Sequence, residues 1–329
     1  MKIGIVGAGA MALRFLDNVK GQVAGIEFTA VHDVSENQMG HFIKAHPEMK
    51  AYGDYNSLLS DPGVEALYIS TPVYTHASLV VEAAEYGKHI LCEKPMALTL
   101  DECEGMVAAA ENGGVVLQIG YMMRFHPCHQ FIREQIASGV LGKVRFAHVE
   151  RTDYIDFKSG DIPSHRMWFV DKSKSGGGAF MDLGCHLIDL IIYLLDDDVD
   201  SYSFAGAQDP ELGVELGGLA SLLFHSGSAA TVYASWQVAV KDNILQVYGE
   251  RAGVQAIRTI GPYRDWKVEI VRGDQREVVD IPYRNHYAAE LEHFRDCVRD
   301  GVEPITSGRI CIRTERVRIG LLEQLYKTT

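Results

Sequence analysis

The sequence is short of what several common kinds of function require. Positive charge is scarce: 31 Lys and Arg stand against 44 Asp and Glu, a net charge of -13. Nucleic-acid binding draws on clustered cations that displace counterions, so no nucleic-acid partner is expected. Long apolar runs are missing too. Leu190 to Leu195 falls well below the ~20 residues of a membrane helix, and no charged-then-apolar leader stands ahead of the first strand, so no membrane partner and a cytoplasmic setting are expected. Cysteine is sparse, and Cys92, Cys103, Cys128, Cys185, Cys297 and Cys311 form no C-x-x-C pair, which suits reduced thiols. Repeats and low-complexity tracts are absent. What is present is globular composition, 47% hydrophobic and 23% charged over 329 residues, enough for one large domain or two ordinary ones. Small-molecule chemistry is the class left standing.

The first hundred residues alternate strand and helix. Lys2 to Val6 is a buried-type strand that runs into Gly7-Ala8-Gly9-Ala10-Met11-Ala12 and then an amphipathic stretch to about Lys20. This is G-x-G-x-x-A, a dinucleotide fingerprint: Gly7 permits the tight turn, Gly9 lets backbone approach a pyrophosphate, and Ala12 is small enough for helix-on-strand packing. A lone motif of this kind is weak, but a second strand, Glu27 to His32, ends in Asp33 at the distance where an acid grips the adenosine ribose. Val64 to Ser70 is another strand, closed by Thr71-Pro72, and feeds a helix over about Thr75 to Tyr86. Thr99-Leu100-Asp101-Glu102 is a capping box for a helix to about Glu111, stopped by Asn112-Gly113-Gly114, and Val115 to Gly120 is a further strand. The alternation predicts a doubly wound parallel sheet in a dinucleotide-binding domain over 1–121.

Between these elements lies Cys92-Glu93-Lys94-Pro95. His89 to Cys92 is a short β-type run, and Pro95 cannot donate to a ladder, so Lys94 is placed at a strand's carboxyl end. In an open α/β sheet the ligand crevice lies outside those ends, so the Lys94 ammonium is expected to face a ligand, the alternative being a solvated loop lysine.

From Val144 the texture changes to strand-like runs between turn residues: Val144 to Val149, Leu219 to Phe224, Ala229 to Trp236, Ile244 to Tyr248, Val254 to Ile257 and Val268 to Val271. They predict an α+β second domain over 122–329 with a largely antiparallel open sheet. The tail from about His286 to Tyr326 returns to helical periodicity, broken by Gly301 and Pro304. One helix in this half carries chemistry. Ser175-Gly176-Gly177-Gly178 leads into a helical run in which Asp182, His186 and Asp189 share a face beside the apolar Leu183, Leu187, Leu190 and Ile191. An acid one turn before a histidine can orient its ring and stabilise its protonated form, as a general acid/base needs, and the same residues are equally readable as a surface face or a satisfied buried histidine. The glycines either let backbone approach a ligand or form a flexible loop. His126-Pro127-Cys128-His129 holds metal-ligating types, but Pro127 is expected to break the local geometry and no second half matches, so no metal is expected. Trp168, Arg166, Tyr283 and His286 are further candidates for the pocket lining, each equally readable as packing or surface.

These motifs, in this order and at these spacings, resemble the glucose-fructose oxidoreductase / inositol dehydrogenase / MocA (Gfo/Idh/MocA) family, and the likeness covers essentially the whole chain. The resemblance implies an NAD(P)-dependent oxidoreductase of sugars or cyclitols, with a Rossmann domain and a second α/β domain whose open sheet makes a homo-oligomer, here a homodimer or homotetramer. It places the family lysine at Lys94 and the aspartate and histidine of the second-domain helix at Asp182 and His186. It also implies Thr71, Pro72, His76 and Glu93, together with Gly7, Gly9, Ala10, Met11, Asp33 and Lys94, for the cofactor, and Tyr121, Arg124, Asp182 and His186 for the substrate, with Trp168 added from its place ahead of the glycine run. Tyr121 stands where many relatives carry Asn.

The residues fit the chemistry without the resemblance. Oxidising a secondary alcohol needs a titratable group beside the carbinol oxygen and a donor to hold it. His186 is expected as the acid/base, Asp182 as its orienter and Lys94 as the polarising donor, with exchange of roles between Lys94 and His186 left open. NAD is expected over NADP, because Asp33 accepts from ribose hydroxyls and repels a 2′-phosphate, and Val34-Ser35-Glu36-Asn37 supplies no Arg. Two alternatives stand beside this reading: a non-catalytic dinucleotide sensor on the same fold, and a sugar-processing enzyme that recycles tightly bound cofactor.

Overall fold

The computed structural model describes residues 1–162, 164–240, 243–261 and 263–327, and the chain divides into two compact units. The first comprises Met1–Met122 with Asn285–Ile312, the second Met123–Arg284 with Arg313–Thr329.

Among the described residues of the first unit, strand and helix alternate as β1 (Lys2–Val6), α1 (Ala10–Val19), β2 (Glu27–His32), α2 (Glu36–Ala45), β3 (Lys50–Tyr52), α3 (Tyr55–Leu59), β4 (Ala66–Ile69), α4 (His76–Glu85), β5 (His89–Cys92), α5 (Leu100–Gly113) and β6 (Leu117–Ile119). The six strands form one parallel sheet in the order β3-β2-β1-β4-β5-β6. Ile3, Ile5, Leu67, Ile69, Ile90 and Leu91 are all buried, as in parallel strands covered on both faces. The order reverses between β1 and β4, and at such a switch the loops at the carboxyl ends open a crevice for a ligand. The capping box forms as read: Glu102 N–H donates to Thr99 Oγ1 (3.2 Å) and Thr99 N–H to Glu102 Oε2 (3.0 Å), while Gly114 ends the helix with φ +63°. Strand β3 and helices α2 and α3 escaped the pattern; β3 is three residues long, and α3 depends on Asp54 accepting from Ser57 N–H (2.8 Å).

In the second unit come α6 (Pro127–Ala137), β7 (Val144–Thr152), α7 (Lys172–Ser175), α8 (Cys185–Leu195), β8 (Val199–Gln208), β9 (Glu215–Phe224), β10 (Ala229–Ser235), β11 (Ile244–Gly249), β12 (Gly253–Ile257), β13 (Lys267–Arg272) and β14 (Gln275–Val279). The eight strands run β14-β13-β12-β11-β7-β10-β9-β8, antiparallel throughout except for the parallel pair β7/β10. The sheet is thus mixed and largely antiparallel. The edge strands β8 and β14 gave no signal in the sequence because most of their residues are exposed. Helix α8 packs on β7 and β10, and α6 on α8. The helical run 172–195 that includes α8 is long and apolar enough to cross a membrane by length and composition, longer than Leu190 to Leu195 suggested, but it is mostly buried inside the protein.

Two helices close the chain, α9 (His286–Asp300) and α10 (Gly308–Lys327). Leu291 and Phe294 of α9 join the first unit's core with Phe15, itself stacked on Tyr68 at 4.0 Å between centroids. Asn285 caps α9 and donates from Nδ2 to the Asn18 carbonyl (2.7 Å).

Candidate active site

The turn after β1 explains its glycines. Gly7 has φ +96°, donates its N–H to the His32 carbonyl (2.9 Å), and a Cβ there would sit 2.9 Å from Thr71 Cγ2, so no other residue fits. Gly9 is the N-cap of α1, and a Cβ built on it meets nothing within 4 Å. The amino end of α1, with Ala10 exposed and Met11 half-buried in its first turn, is therefore open to a phosphate group. Asp33, half-buried, accepts from Ala8 N–H at Oδ2 and from Ser35 N–H at Oδ1, both at 2.7 Å. These bonds fix the carboxylate at the end of β2 and still leave lone pairs on each oxygen. The open helix end and the anchored acid together fit a dinucleotide.

Thr71 and Pro72 follow β4, and buried His76 ties them to the Lys94 loop: its Nε2 lies 2.8 Å from the Thr71 carbonyl and its Nδ1 3.0 Å from the Pro95 carbonyl. His76 thus shapes the turn from beneath. Glu93 and Lys94 come directly after β5. The Tyr68 hydroxyl donates to Glu93 Oε1 (2.7 Å) and Lys94 N–H to Oε2 (3.2 Å). Burial pushes the Glu93 carboxyl up, opposed by the Tyr68 bond and the Lys94 charge, and burial with the Glu93 charge pushes Glu290 of α9 well above the carboxylate range. Lys94 itself is half-buried, and Tyr121 fully buried beyond β6.

In the second unit the helical run expected after Gly178 is corrected, since it is not one regular helix. Phe180–Gly184 is a π-helical turn, and regular α-helix begins at Cys185. Half-buried Asp182 lies on this wide turn and buried His186 in the first turn of α8. Such turns occur often at functional sites. Asp189 does not share an open face with them. It is fully buried, accepting from Arg124 Nε (2.9 Å) and Nη2 (2.6 Å) and from the Thr314 hydroxyl (2.9 Å). Two donors of Arg124 are thereby committed inside the protein. Pro127 is also corrected: it does not break local geometry but starts α6 at the first helical position, where its missing N–H costs nothing, with His126 as N-cap and Nδ1 accepting from Cys128 N–H (3.3 Å). His129 Nδ1 lies 2.8 Å from the Met123 carbonyl. Among the described residues no group of three or more His, Cys, Asp or Glu is placed to hold a metal.

The remaining candidates are placed as follows. Trp168 stacks on Phe169 (4.1 Å), and Arg166 is exposed. Tyr283 stacks on Trp266 (5.8 Å) with the Arg264 guanidinium over its ring, and His286 is buried at the start of α9, with burial holding its imidazole down to about 4. Glu215, Tyr68 and Glu290 escaped the sequence reading, since each matters through a partner far along the chain.

Comparison with known proteins agrees with this architecture. Residues 1–121 match the model of an oxidoreductase family with an NAD-binding Rossmann fold, and residues 129–255 that of the GFO/IDH/MocA C-terminal domain. The chain is 29% identical over 317 residues to scyllo-inositol 2-dehydrogenase (NAD(+)) of Bacillus subtilis, covering 93% of this chain and 89% of that one. It is 26% identical over 321 residues to myo-inositol 2-dehydrogenase of Thermotoga maritima, covering 94% and 91%. In structure it is similar to an aldose-aldose oxidoreductase from Caulobacter crescentus complexed with glycerol, at TM-score 0.89 and 24% identity over 100% of this chain and 98% of that one. A 3-ketoreductase from Actinomadura kijaniata in complex with NADP and TDP-benzene gives TM-score 0.86 at 23% identity, over 99% and 97%. Fold and matched domains define an NAD(P)-dependent oxidoreductase. The chain belongs to the Gfo/Idh/MocA family.

Proposed function

We propose that this protein transfers a hydride between a nicotinamide cofactor and a secondary alcohol or ketone of a sugar, cyclitol or related polyol. The observation that carries the reading is the setting of Lys94, an ammonium immediately beyond the carboxyl end of β5 in the half of the sheet that follows the switch, with Glu93 anchored beneath it by Tyr68. The inositol dehydrogenases among the relatives support the substrate class.

Gly7, Gly9, Ala10 and Met11 present the amino end of α1 to the cofactor's phosphates, and Asp33 takes the adenosine ribose. Thr71, Pro72 and Glu93 shape the same edge, with His76 behind them. Bound there, the nicotinamide supplies the hydride acceptor or donor. The protein's part is the proton and the charge. Lys94 donates to the carbinol oxygen and stabilises the negative charge that grows on it as its proton leaves. His186 takes that proton during oxidation and returns it during reduction, and Asp182 holds the imidazole in the required tautomer. Tyr121 and Trp168 line the substrate side, and Arg124 acts through Asp189 and α8.

Lys94→Met keeps the stem and removes the charge. Turnover is expected to fall on the order of a hundredfold or more, with NAD affinity nearly unchanged because the phosphates are held elsewhere. The assay is cofactor absorbance with whichever sugar, inositol or sugar acid gives the fastest parent turnover. Near-normal turnover in the variant would remove Lys94 from the site.

A further inference from the structure

Glu215 opens β9, and its side chain is fully buried. Its Oε1 accepts from three backbone N–H groups, those of Gly178 (2.8 Å), Phe180 (3.0 Å) and Met181 (3.3 Å). Its Oε2 accepts from the Tyr326 hydroxyl of α10. The first turn of a helix leaves its N–H groups without intrahelical partners. Here the carbonyls one turn back belong to Gly176, which has φ +79°, and Gly177, so the chain ahead of the turn does not supply them. A carboxylate from a strand does. Charge-assisted bonds of this kind are about twice as strong as neutral ones, and a negative group at a helix amino end also meets the helix dipole favourably.

The glycine run has the same cause. A Cβ on Gly178 would collide with the Glu215 carbonyl oxygen, and one on Gly177 would lie 3.0 Å from Met181 Cβ and 3.3 Å from Glu215 Oε1. The close approach these glycines permit is therefore to β9, within the protein. The segment so anchored is the π-helical turn with Asp182, and His186 follows Cys185 in the first turn of α8.

We propose that Glu215, braced by Tyr326, is a positioning residue of the active site: it holds the π-helical turn in the register that aims Asp182 and His186. This rests on the reading of those two residues as the proton-transfer pair. Removing the carboxylate leaves three N–H groups to find other acceptors, and the turn relaxes toward regular helix. That rotates Asp182 and His186 away from the reacting oxygen, while the cofactor's phosphate and ribose contacts, made by other residues, are untouched.

The test compares Glu215→Gln, Glu215→Ala and Tyr326→Phe in the full-length protein, with the substrate that the screen selects and NAD binding followed by fluorescence. Glutamine keeps an oxygen for the three N–H groups and turns its amide toward the Tyr326 oxygen. Glu215→Ala is expected to lower kcat about tenfold or more with KM within about threefold of the parent and an unchanged NAD Kd, and Glu215→Gln to return kcat to within about threefold of the parent, as misplacement of a catalytic pair predicts. A role in stability alone would lower Tm and leave kcat of the folded protein unchanged, so parental kcat in folded Glu215→Ala overturns the proposal. If the alanine variant does not fold, Tyr326→Phe decides: a fall in kcat at constant KM supports the proposal, and parental kcat overturns it. His186→Ala separates the two levels. If that variant is fully active, the reading of the site itself fails; if it is inactive while the Glu215 and Tyr326 variants are normal, only the positioning role fails.

Discussion

Arg124 and Asp189 hold each other in the interior of the second unit, the guanidinium giving Nε and Nη2 to the two carboxylate oxygens at 2.9 and 2.6 Å with almost no solvent exposure on either side chain. The pair joins the segment after β6 to the middle of α8, one turn beyond His186. A buried ion pair contributes little net stability over an apolar replacement of equal volume, but losing one partner strands the other charge.

Asp189→Leu alone is therefore expected to cost about 3–5 kcal/mol, and Arg124→Met with Asp189→Leu together to cost much less than the sum of the two singles. Denaturation midpoints of the four proteins check this. Additive losses would show that the two side chains act independently.

The anchored Asp33 carboxylate predicts preference for NAD. A 2′-phosphate would face a fixed negative charge, with exposed Glu36 in the first turn of α2 adding to it and Ser35 engaged as the N-cap of that helix. Catalytic efficiency with NAD is expected to exceed that with NADP by about tenfold or more, and Asp33→Ala to narrow the gap. Equal efficiency in the parent would sink the assignment.

His286 predicts an acid-sensitive term in stability. Its imidazole is held down to about 4 by burial, against an ordinary value of 6.5. The unfolded chain then binds a proton between these values that the folded protein refuses, so stability is complete above about 6.5 and is lost as pH falls toward 4, by up to about 1.4 kcal/mol per pH unit. Raised carboxyls such as Glu93, Glu215 and Glu290 act in the opposite sense, their stabilisation fading as pH rises through their raised values. Tm of the parent should therefore drop more steeply across this window than Tm of His286→Gln. Parallel curves would contradict it.

The eight-stranded sheet predicts self-association through its uncovered face. Helix α8 covers one side, while Leu219 and Leu223 of β9 stand exposed. A homodimer or homotetramer buries such a face against a symmetry mate. Sedimentation showing only monomer at micromolar protein would rule this out, and Leu219→Lys with Leu223→Lys should shift the parent oligomer toward monomer.

What was legible in the sequence is what neighbouring residues decide. The fingerprint could be read because Gly7 must take a positive φ and Ala12 must be small within a single strand-turn-helix, and the Thr99 capping box because both bonds span three residues. The π-helical turn could not be read, since the carboxylate that meets it comes from Glu215, more than thirty residues later. The commitment of Arg124 to Asp189 was hidden for the same reason, the two standing 65 positions apart. Pro127 was misjudged because proline is a breaker inside a helix and a favoured starter at its first position, and only the backbone tells which.

The glycines at 176–178 could be read as a close approach or as slack; at 177 and 178 they work as clearance, and the two words lead an engineer in opposite directions. A library randomised across them to stiffen a loop should return glycine alone at 178, where any side chain meets the backbone of β9, and glycine or asparagine at 176, where the left-handed φ decides. The segment already sits as close to its neighbour as backbone can. Substitutions meant to tighten this segment would instead push it off β9, so they are expected to lower heat tolerance rather than raise it.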